Sequence, residues 1–243
     1  MEIIPSLPMI DIWVTSPPYN IGYPNPDTAG TARKGVDYTS CNDCIPEGIY
    51  QKSQQDILET MYEKTTKGGS LFYIHQNRTK IPVIRKDNRG MTKKSGIFSS
   101  PLDWIRRTRW NIVQELVWDK GSSHQQNKAR FTPIDERVWW LSKGKPEHNH
   151  NIILPTILRH PKPTSEERGP CPSPFPVNLI HQLLEAVAKP NDIICDPYMG
   201  SGTTLLVCKR MGLSGIGIEI DKETMAHAIK RIERESHDGA QSR

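Results

Sequence analysis

The chain has 243 residues, 35% hydrophobic and 24% charged, with 32 Lys and Arg against 27 Asp and Glu for a net charge of +5. Those proportions fit an ordinary globular protein and exclude an intrinsically disordered one, and the length suits one domain, or one with an appendage, better than two. No apolar run reaches the roughly 20 residues of a bilayer span, and no secretory leader pattern follows Met1, so a cytoplasmic location and no membrane partner are expected.

In chain order, the first strand-like run is Asp11–Thr15, which opens directly into the stiff turn "SPPYNIG". Further runs occupy Ser70–His75, Ile112–Trp118, Arg137–Leu141, Ile193–Cys195 and Ser214–Ile220. Most are continuous apolar stretches, as expected where helices cover both faces of a parallel sheet. Ile180, Leu183, Leu184 and Val187 fall at helical spacing, and Met225, Ala228, Ile229 and Ile232 repeat it. Strands alternating with amphipathic helices predict an α/β fold. Three segments carry no clear element: Tyr23–Gly48, Asn77–Ser100 and the proline-rich Lys143–Pro176. Long loops of that kind are usually functional or disordered, and these are the candidate recognition elements.

The five cysteines are odd in number and scattered, which argues for a reducing compartment and against a disulfide framework. Cys41 and Cys44 form a C-x-x-C, but no second pair follows at metal spacing. Free thiols are expected, and no metal site.

The sharpest local signal is "DIICDPYMGSGTTLLVCKRMGLSGIGIEID". An apolar strand ends at Asp196, a loop carries Gly200 and Gly202, a helix starts near Thr203, and a second strand leads to Glu219. Glycines let a ligand approach the backbone closely, and the helix N-terminus offers unpaired N–H groups. A dinucleotide fingerprint would need its third glycine at position 205, where Leu205 stands. Asp196 would repel a pyrophosphate but suits a ligand with positive charge. S-adenosylmethionine matches that requirement, its ribose within reach of an acid such as Glu219. G-S-G alone is equally an ordinary strand–turn–helix; the flanking Asp196-Pro197 and Gly-Ile-Glu219 favour the ligand reading.

Taken together, Ser16-Pro17-Pro18-Tyr19 and the later Asp196-Pro197-Tyr198-Met199-Gly200-Ser201-Gly202-Thr203-Thr204 resemble the beta-type, circularly permuted amino DNA methyltransferases, the cytosine-N4/adenine-N6 family. In that arrangement the catalytic motif precedes the cofactor motif. "KGGSLFYIHQNR", "NIVQELVWDKG", "RFTPIDERVWWLSKG" and "CPSPFPVNLIHQLLEAVAKPNDIICDPYMGSGTT" are similar to further family segments and occur in the family's order. The resemblance implies a Rossmann-like, S-adenosylmethionine-dependent methyltransferase fold with a mostly parallel twisted sheet. It implies one domain over residues 1–243: a catalytic half over about 1–145, a proline-rich loop over about 145–176 and a cofactor-binding half over about 176–236. Family members usually carry a Gly-Asp segment before the catalytic strand. Only "MEIIPSLPMI" stands there, so either an edge strand is lacking or the chain is a shortened member.

The expected chemistry follows from the target. An exocyclic amine of cytosine or adenine is a poor nucleophile because its lone pair is delocalised into the ring. Acceptors facing its hydrogens favour a pyramidal nitrogen, and the Ser16 hydroxyl with the Pro17 carbonyl is the expected pair, held by Pro18. Tyr19 is expected to stack on a base flipped out of double-stranded DNA. The family's serine at the first position goes mostly with cytosine, so N4 of cytosine is favoured, with N6 of adenine or a non-catalytic DNA-binding relic as alternatives. The resemblance places Asn20, Phe175, Pro176, Asp196, Tyr198, Gly200, Gly202, Thr203, Thr204, Glu219 and Ile220 around the cofactor. Arg78, Lys80, Arg85, Lys86, Arg89, Lys93 and Lys94 form a basic cluster expected to meet DNA phosphates, with Gly121–Arg130 and the proline-rich stretch as candidates for base contacts. His75, His148, His150 and His181 are expected to be structural or exposed. A cognate restriction endonuclease is a possible partner; the pattern does not specify an oligomeric state.

Overall fold

The computed structural model describes residues 3–20, 45–86, 92–122, 131–164, 171 and 173–238, with the backbone alone described at 79–86, 92–98 and 236–238. Nine strands occur among these residues: β1 (Ile10–Thr15), β2 (Thr65–His75), β3 (Arg78–Lys86), β4 (Thr92–Ser99), β5 (Asn111–Asp119), β6 (Asp135–Ser142), β7 (Ile157–Arg159), β8 (Ile193–Asp196) and β9 (Ser214–Gly217). The helices are α1 (Glu47–Glu63), α2 (Leu102–Ile105), α3 (Val177–Val187), α4 (Thr203–Met211) and α5 (Lys222–Asp238), with a short 3-10 turn at Ile4–Ser6.

Seven strands form one sheet in the order β7-β5-β6-β2-β1-β8-β9. Only β6 runs antiparallel to its neighbours, so the sheet is mostly parallel, as expected. Successive side chains of β1 point to opposite faces, and both faces are covered. Ile12 and Val14 pack with Phe72, Ile74, Leu179, Leu183, Leu184 and Val207 under α3 and α4. Trp13 packs with Leu71, Tyr73, Leu58, Met61 and Trp104 under α1 and α2. Burial of alternate residues on both sides is why the strands read as unbroken apolar runs.

Three departures from the sequence reading concern elements. Helix α1 went unrecognised because its buried stripe, Tyr50, Gln54, Ile57, Leu58 and Met61, includes two polar-ended side chains. The segment Asn77–Ser100 is mainly the antiparallel pair β3–β4, in which Arg85 faces Lys93 and Ile84 faces Lys94. The proline-rich segment contributes β7, paired with β5 through Leu158 and Trp118. Of Tyr23–Gly48, residues 23–44 lie outside the described residues, and so does the C-x-x-C.

The topology positions the site. From β1 the chain crosses through α1 to β2, on one side of β1; from β8 it crosses through α4 to β9, on the other side. Strands β1 and β8 are parallel neighbours, with Ile12 beside Ile194 and Trp13 beside Cys195. Their carboxyl ends therefore flank a topological switch point, where open α/β sheets form their ligand crevice.

Candidate active site

The Ser-Pro-Pro-Tyr bend leaves β1 at this crevice. Ser16 Oγ donates to Tyr19 Oη at 2.8 Å, and Tyr19 Oη donates to Glu136 Oε2 at 2.7 Å. Glu136 comes from β6, whose antiparallel direction brings its first residues to the same end of the sheet as the carboxyl ends of β1 and β2. Lys120, just past β5, holds the other carboxylate oxygen at 2.9 Å in a largely buried ion pair. Burial first, and then the Glu136 charge, push the Tyr19 phenol well above its usual range, so it stays a donor.

Behind the bend, Tyr50 Oη donates to the Pro18 carbonyl at 2.7 Å and lies 2.7 Å from His75 Nε2. His75 is buried, its ring centroid 4.3 Å from that of Tyr19. Burial drives its pKa down to about 3, despite the Gln76 carbonyl that favours the charged form, and the Arg78 charge lowers it further. A neutral His75 whose Nδ1–H meets the Gln76 carbonyl at 2.7 Å leaves Nε2 as an acceptor, sharing the Tyr50 hydrogen with Pro18. His75 is thus structural, as expected. Of the predicted catalytic residues, Ser16 and Tyr19 are joined by a hydrogen bond and Pro18 is braced from behind. The sequence reading overlooked Tyr50, Glu136 and Lys120; the quoted "WDKG" and "PIDER" segments held two of them, with no local pattern pointing at Ser16.

Across the crevice, the glycine loop joins β8 to α4. Gly202 adopts the left-handed region at φ 77° where the helix begins, and a Cβ there would lie 3.0 Å from Ala228 Cβ. Gly200 has φ 52°, with the Cys171 sulfur 2.9 Å from where a Cβ would sit. Its N–H donates to Glu219 Oε2 at 2.9 Å, and the Asp221 N–H donates to Glu219 Oε1 at 2.9 Å. The carboxylate at the end of β9 is thereby fixed beside the loop, each oxygen keeping a lone pair for another donor. Asp196 is 1% exposed. It accepts from Thr204 Oγ1 at 2.7 Å and from the Tyr198 N–H at 3.1 Å. Burial outweighs those bonds and, with the Glu219 charge adding to it, raises Asp196 to about 7. Two acids beside a glycine turn fit a ligand that carries positive charge and hydroxyl groups. Phe175 is buried, meets Trp118 edge-on at 6.3 Å, and with Pro176 leads into α3 beside the loop, its carbonyl facing Thr203. Ile220 is 74% exposed after Glu219.

Two of the expected contact residues have partners within the fold. Arg78 is 4% exposed, and its guanidinium is bound to both carboxylate oxygens of Glu47 at 2.9 and 2.6 Å while lying over the Tyr50 ring at 4.4 Å. A buried guanidinium already paired with a carboxylate is a structural tie, not a phosphate contact. Asn20 is buried with φ 53°, and its amide exchanges two hydrogen bonds with the Ile45 backbone. It anchors the end of the bend to the start of the α1 segment. Lys80, Arg85, Lys86, Lys93 and Lys94 lie on the β3–β4 pair, where the backbone alone is described, and Arg89 lies outside the described residues. The same holds for residues 123–130 of the Gly121–Arg130 loop.

A mostly parallel sheet covered on both faces, with a glycine turn between an acid on one strand and an acid after the next, defines the Rossmann-like class of S-adenosylmethionine-dependent methyltransferases. Residues 10–230 match the DNA methylase family of N6 and N4 type, and the chain belongs to that family. It is a DNA methyltransferase that uses S-adenosylmethionine. Type II methyltransferase M.ScaI of Streptomyces caespitosus is 24% identical over 272 residues, spanning 97% of this chain and 80% of its own. A solved M1.HpyAVI–SAM complex superposes with TM-score 0.63 at 20% identity, over 95% of this chain and 94% of its own. The cytosine-N4-specific PvuII DNA methyltransferase superposes with TM-score 0.67 at 19% identity, over 94% and 82%. Among the described residues, no helix is long and apolar enough to cross a membrane.

Proposed function

We propose that this chain methylates the exocyclic amine of a base flipped out of double-stranded DNA, with N4 of cytosine as the favoured target. The observation that carries the reading is the side-by-side placement of β1 and β8, which puts the Ser-Pro-Pro-Tyr bend and the glycine turn at one crevice. S-adenosylmethionine supplies an electrophilic methyl group on a sulfonium. Asp196, Gly200, Gly202, Thr203, Thr204, Glu219 and Ile220 would hold it, with Phe175, Pro176 and Tyr198 along the wall; Asp196 faces positive charge and Glu219 faces hydroxyls.

Ser16 Oγ and the Pro17 carbonyl accept from the amine hydrogens and favour the pyramidal nitrogen. Orientation of that nitrogen supplies most of the remaining rate advantage. The cytosine preference rests on Ser16 at the first position of the motif; a neutral hydroxyl accepts less strongly than a carboxylate. The partly buried Tyr19 ring, against His75 on one side, would offer its other face to the flipped base. Basic residues of β3–β4 other than Arg78 would meet the phosphates.

Methylome sequencing of DNA from a host expressing the chain, with mass analysis of the modified nucleosides, tests the proposal. N4-methylcytosine at a defined motif is the expected result. N6-methyladenine would keep the reaction and overturn the base; no modified base on any DNA, with binding retained, would make the chain a relic of the fold.

A further inference from the structure

The chain of hydrogen bonds from Ser16 has a direction, and its far end sets that direction. An ionised carboxylate only accepts, so at Glu136 Oε2 the hydrogen between the two oxygens belongs to Tyr19. Tyr19 has then spent its single hydrogen and can only accept from Ser16, 2.8 Å away. Ser16 has in turn spent its own hydrogen inward, which leaves its lone pairs for an incoming amine. Lys120 holds the carboxylate in place through Oε1.

We infer that Glu136 is a positioning residue for methyl transfer: through Tyr19 it turns the Ser16 hydroxyl into an acceptor, and it receives the proton that the methylated amine must lose. This rests on the methyl-transfer reading above. The new N–C bond takes the nitrogen lone pair while the methyl–sulfur bond breaks and its electron pair returns to sulfur, which leaves as a neutral thioether; the N–H bonding pair returns to nitrogen as that proton moves to Ser16 Oγ. The Ser16 hydrogen passes to Tyr19 Oη and the Tyr19 hydrogen to Glu136 Oε2. Both hydroxyls are regenerated, and Glu136 ends as the neutral acid until it releases its proton to water. An alkylated ring amine carrying positive charge is strongly acidic, so a carboxylate is base enough.

Glu136→Gln tests the direction. Lys120 is a donor only, so the amide oxygen stays with it and the NH2 turns to Tyr19, which reverses every hydrogen out to Ser16. The single-turnover rate is expected to fall by roughly 10²-fold with cofactor affinity unchanged. Tyr19→Phe, which keeps the ring against His75, is expected to lose a similar factor. The double variant is expected to lose no more than the larger single loss, because both cut one chain.

A second readout needs no turnover. The affinity of cofactor-free protein is compared for a duplex carrying the target amine and for one with a carbonyl in its place, uracil for cytosine or hypoxanthine for adenine, each set opposite an abasic site so that neither base has a pairing partner to lose. Wild type is expected to favour the amine by up to about tenfold, the upper end of what one neutral hydrogen bond contributes, and Glu136→Gln to lose that preference. Wild-type rate and preference in Glu136→Gln, or losses that add in the double variant, overturn the inference. Failure of wild type to methylate any DNA would instead sink the methyl-transfer reading, and the inference with it.

Discussion

Trp13 of β1 and Cys195 of β8 sit side by side in parallel register. Three residues beyond Trp13 stands Ser16, and one residue beyond Cys195 stands Asp196, so two motifs some 180 positions apart in the chain open onto the same end of the sheet. Adjacent strands lie about 4.8 Å apart, which sets how closely the two motifs can approach.

Ser16→Ala removes the acceptor nearest the expected amine and leaves the glycine loop untouched. Methyl transfer measured with labelled cofactor is expected to fall by about 10²-fold, while calorimetric cofactor affinity stays at the wild-type value. A variant that turns over like wild type would remove Ser16 from the chemistry.

Arg78 and the neighbouring lysines should separate in DNA binding. Breaking this largely buried ion pair by Arg78→Ala leaves Glu47 with the Gln51 and Ser99 hydrogens only and costs about 3 kcal/mol, the low end for a pair that loses one buried partner, read as a lowered melting temperature. The dependence of DNA affinity on salt should stay at its wild-type slope. Lys93→Ala and Lys94→Ala should instead leave melting unchanged and each reduce the salt slope by about one. A reduced slope in a folded Arg78→Ala protein would restore Arg78 to the phosphate contacts.

Asp196 makes stability depend on pH. In the folded chain it holds its proton up to about 7, whereas an unfolded aspartate releases it near pH 4. The folded state binds more protons in between, so this group's contribution is present below about pH 4 and is lost as pH rises to about 7. Asp196→Asn keeps the Thr204 bond, since a threonine hydroxyl can accept as well as donate. The variant is expected to melt near the wild-type temperature at pH 4 and above it at pH 8. Stabilisation by added cofactor, measured in the same melts, should grow with pH in wild type and stay small in the variant.

Gly217 lines the floor under the loop. A Cβ there would fall 2.3 Å from Met199 Sδ and 2.9 Å from Leu205 Cδ2. Gly217→Ala must displace the methionine that precedes Gly200, an overpacking cost of about 1–3 kcal/mol. A lower melting temperature together with weaker cofactor binding is expected; loss of neither would mean that Met199 repacks freely.

Periodicity and order carried a large share of this protein. Continuous apolar runs announced a doubly covered sheet because burial on both faces removes any need for alternation, and Ile180, Leu183, Leu184 and Val187 announced α3 because helical spacing places them on one side. The glycine turn between Asp196 and Glu219 was legible for the same local reason: backbone conformation and capping act over a few neighbours. Helix α1 stayed hidden because its buried stripe is filled in part by Tyr50 and Gln54, whose polar ends are satisfied only by distant residues: His75 and Pro18 for Tyr50, and Tyr73 for Gln54. Arg78 reads in one dimension as one more cation in a basic run; Glu47, 31 positions earlier, claims it only once α1 packs beside β3. Glu136 likewise reaches Tyr19 across 117 positions because β6 runs opposite to β1 and delivers its first residues to the crevice. Sequence alone settled the family and those elements whose spacing is locally regular. Which charges are paired, and which way the hydrogens of Ser16 and Tyr19 point, was decided by strand order and direction, because such partners meet only after the sheet has formed.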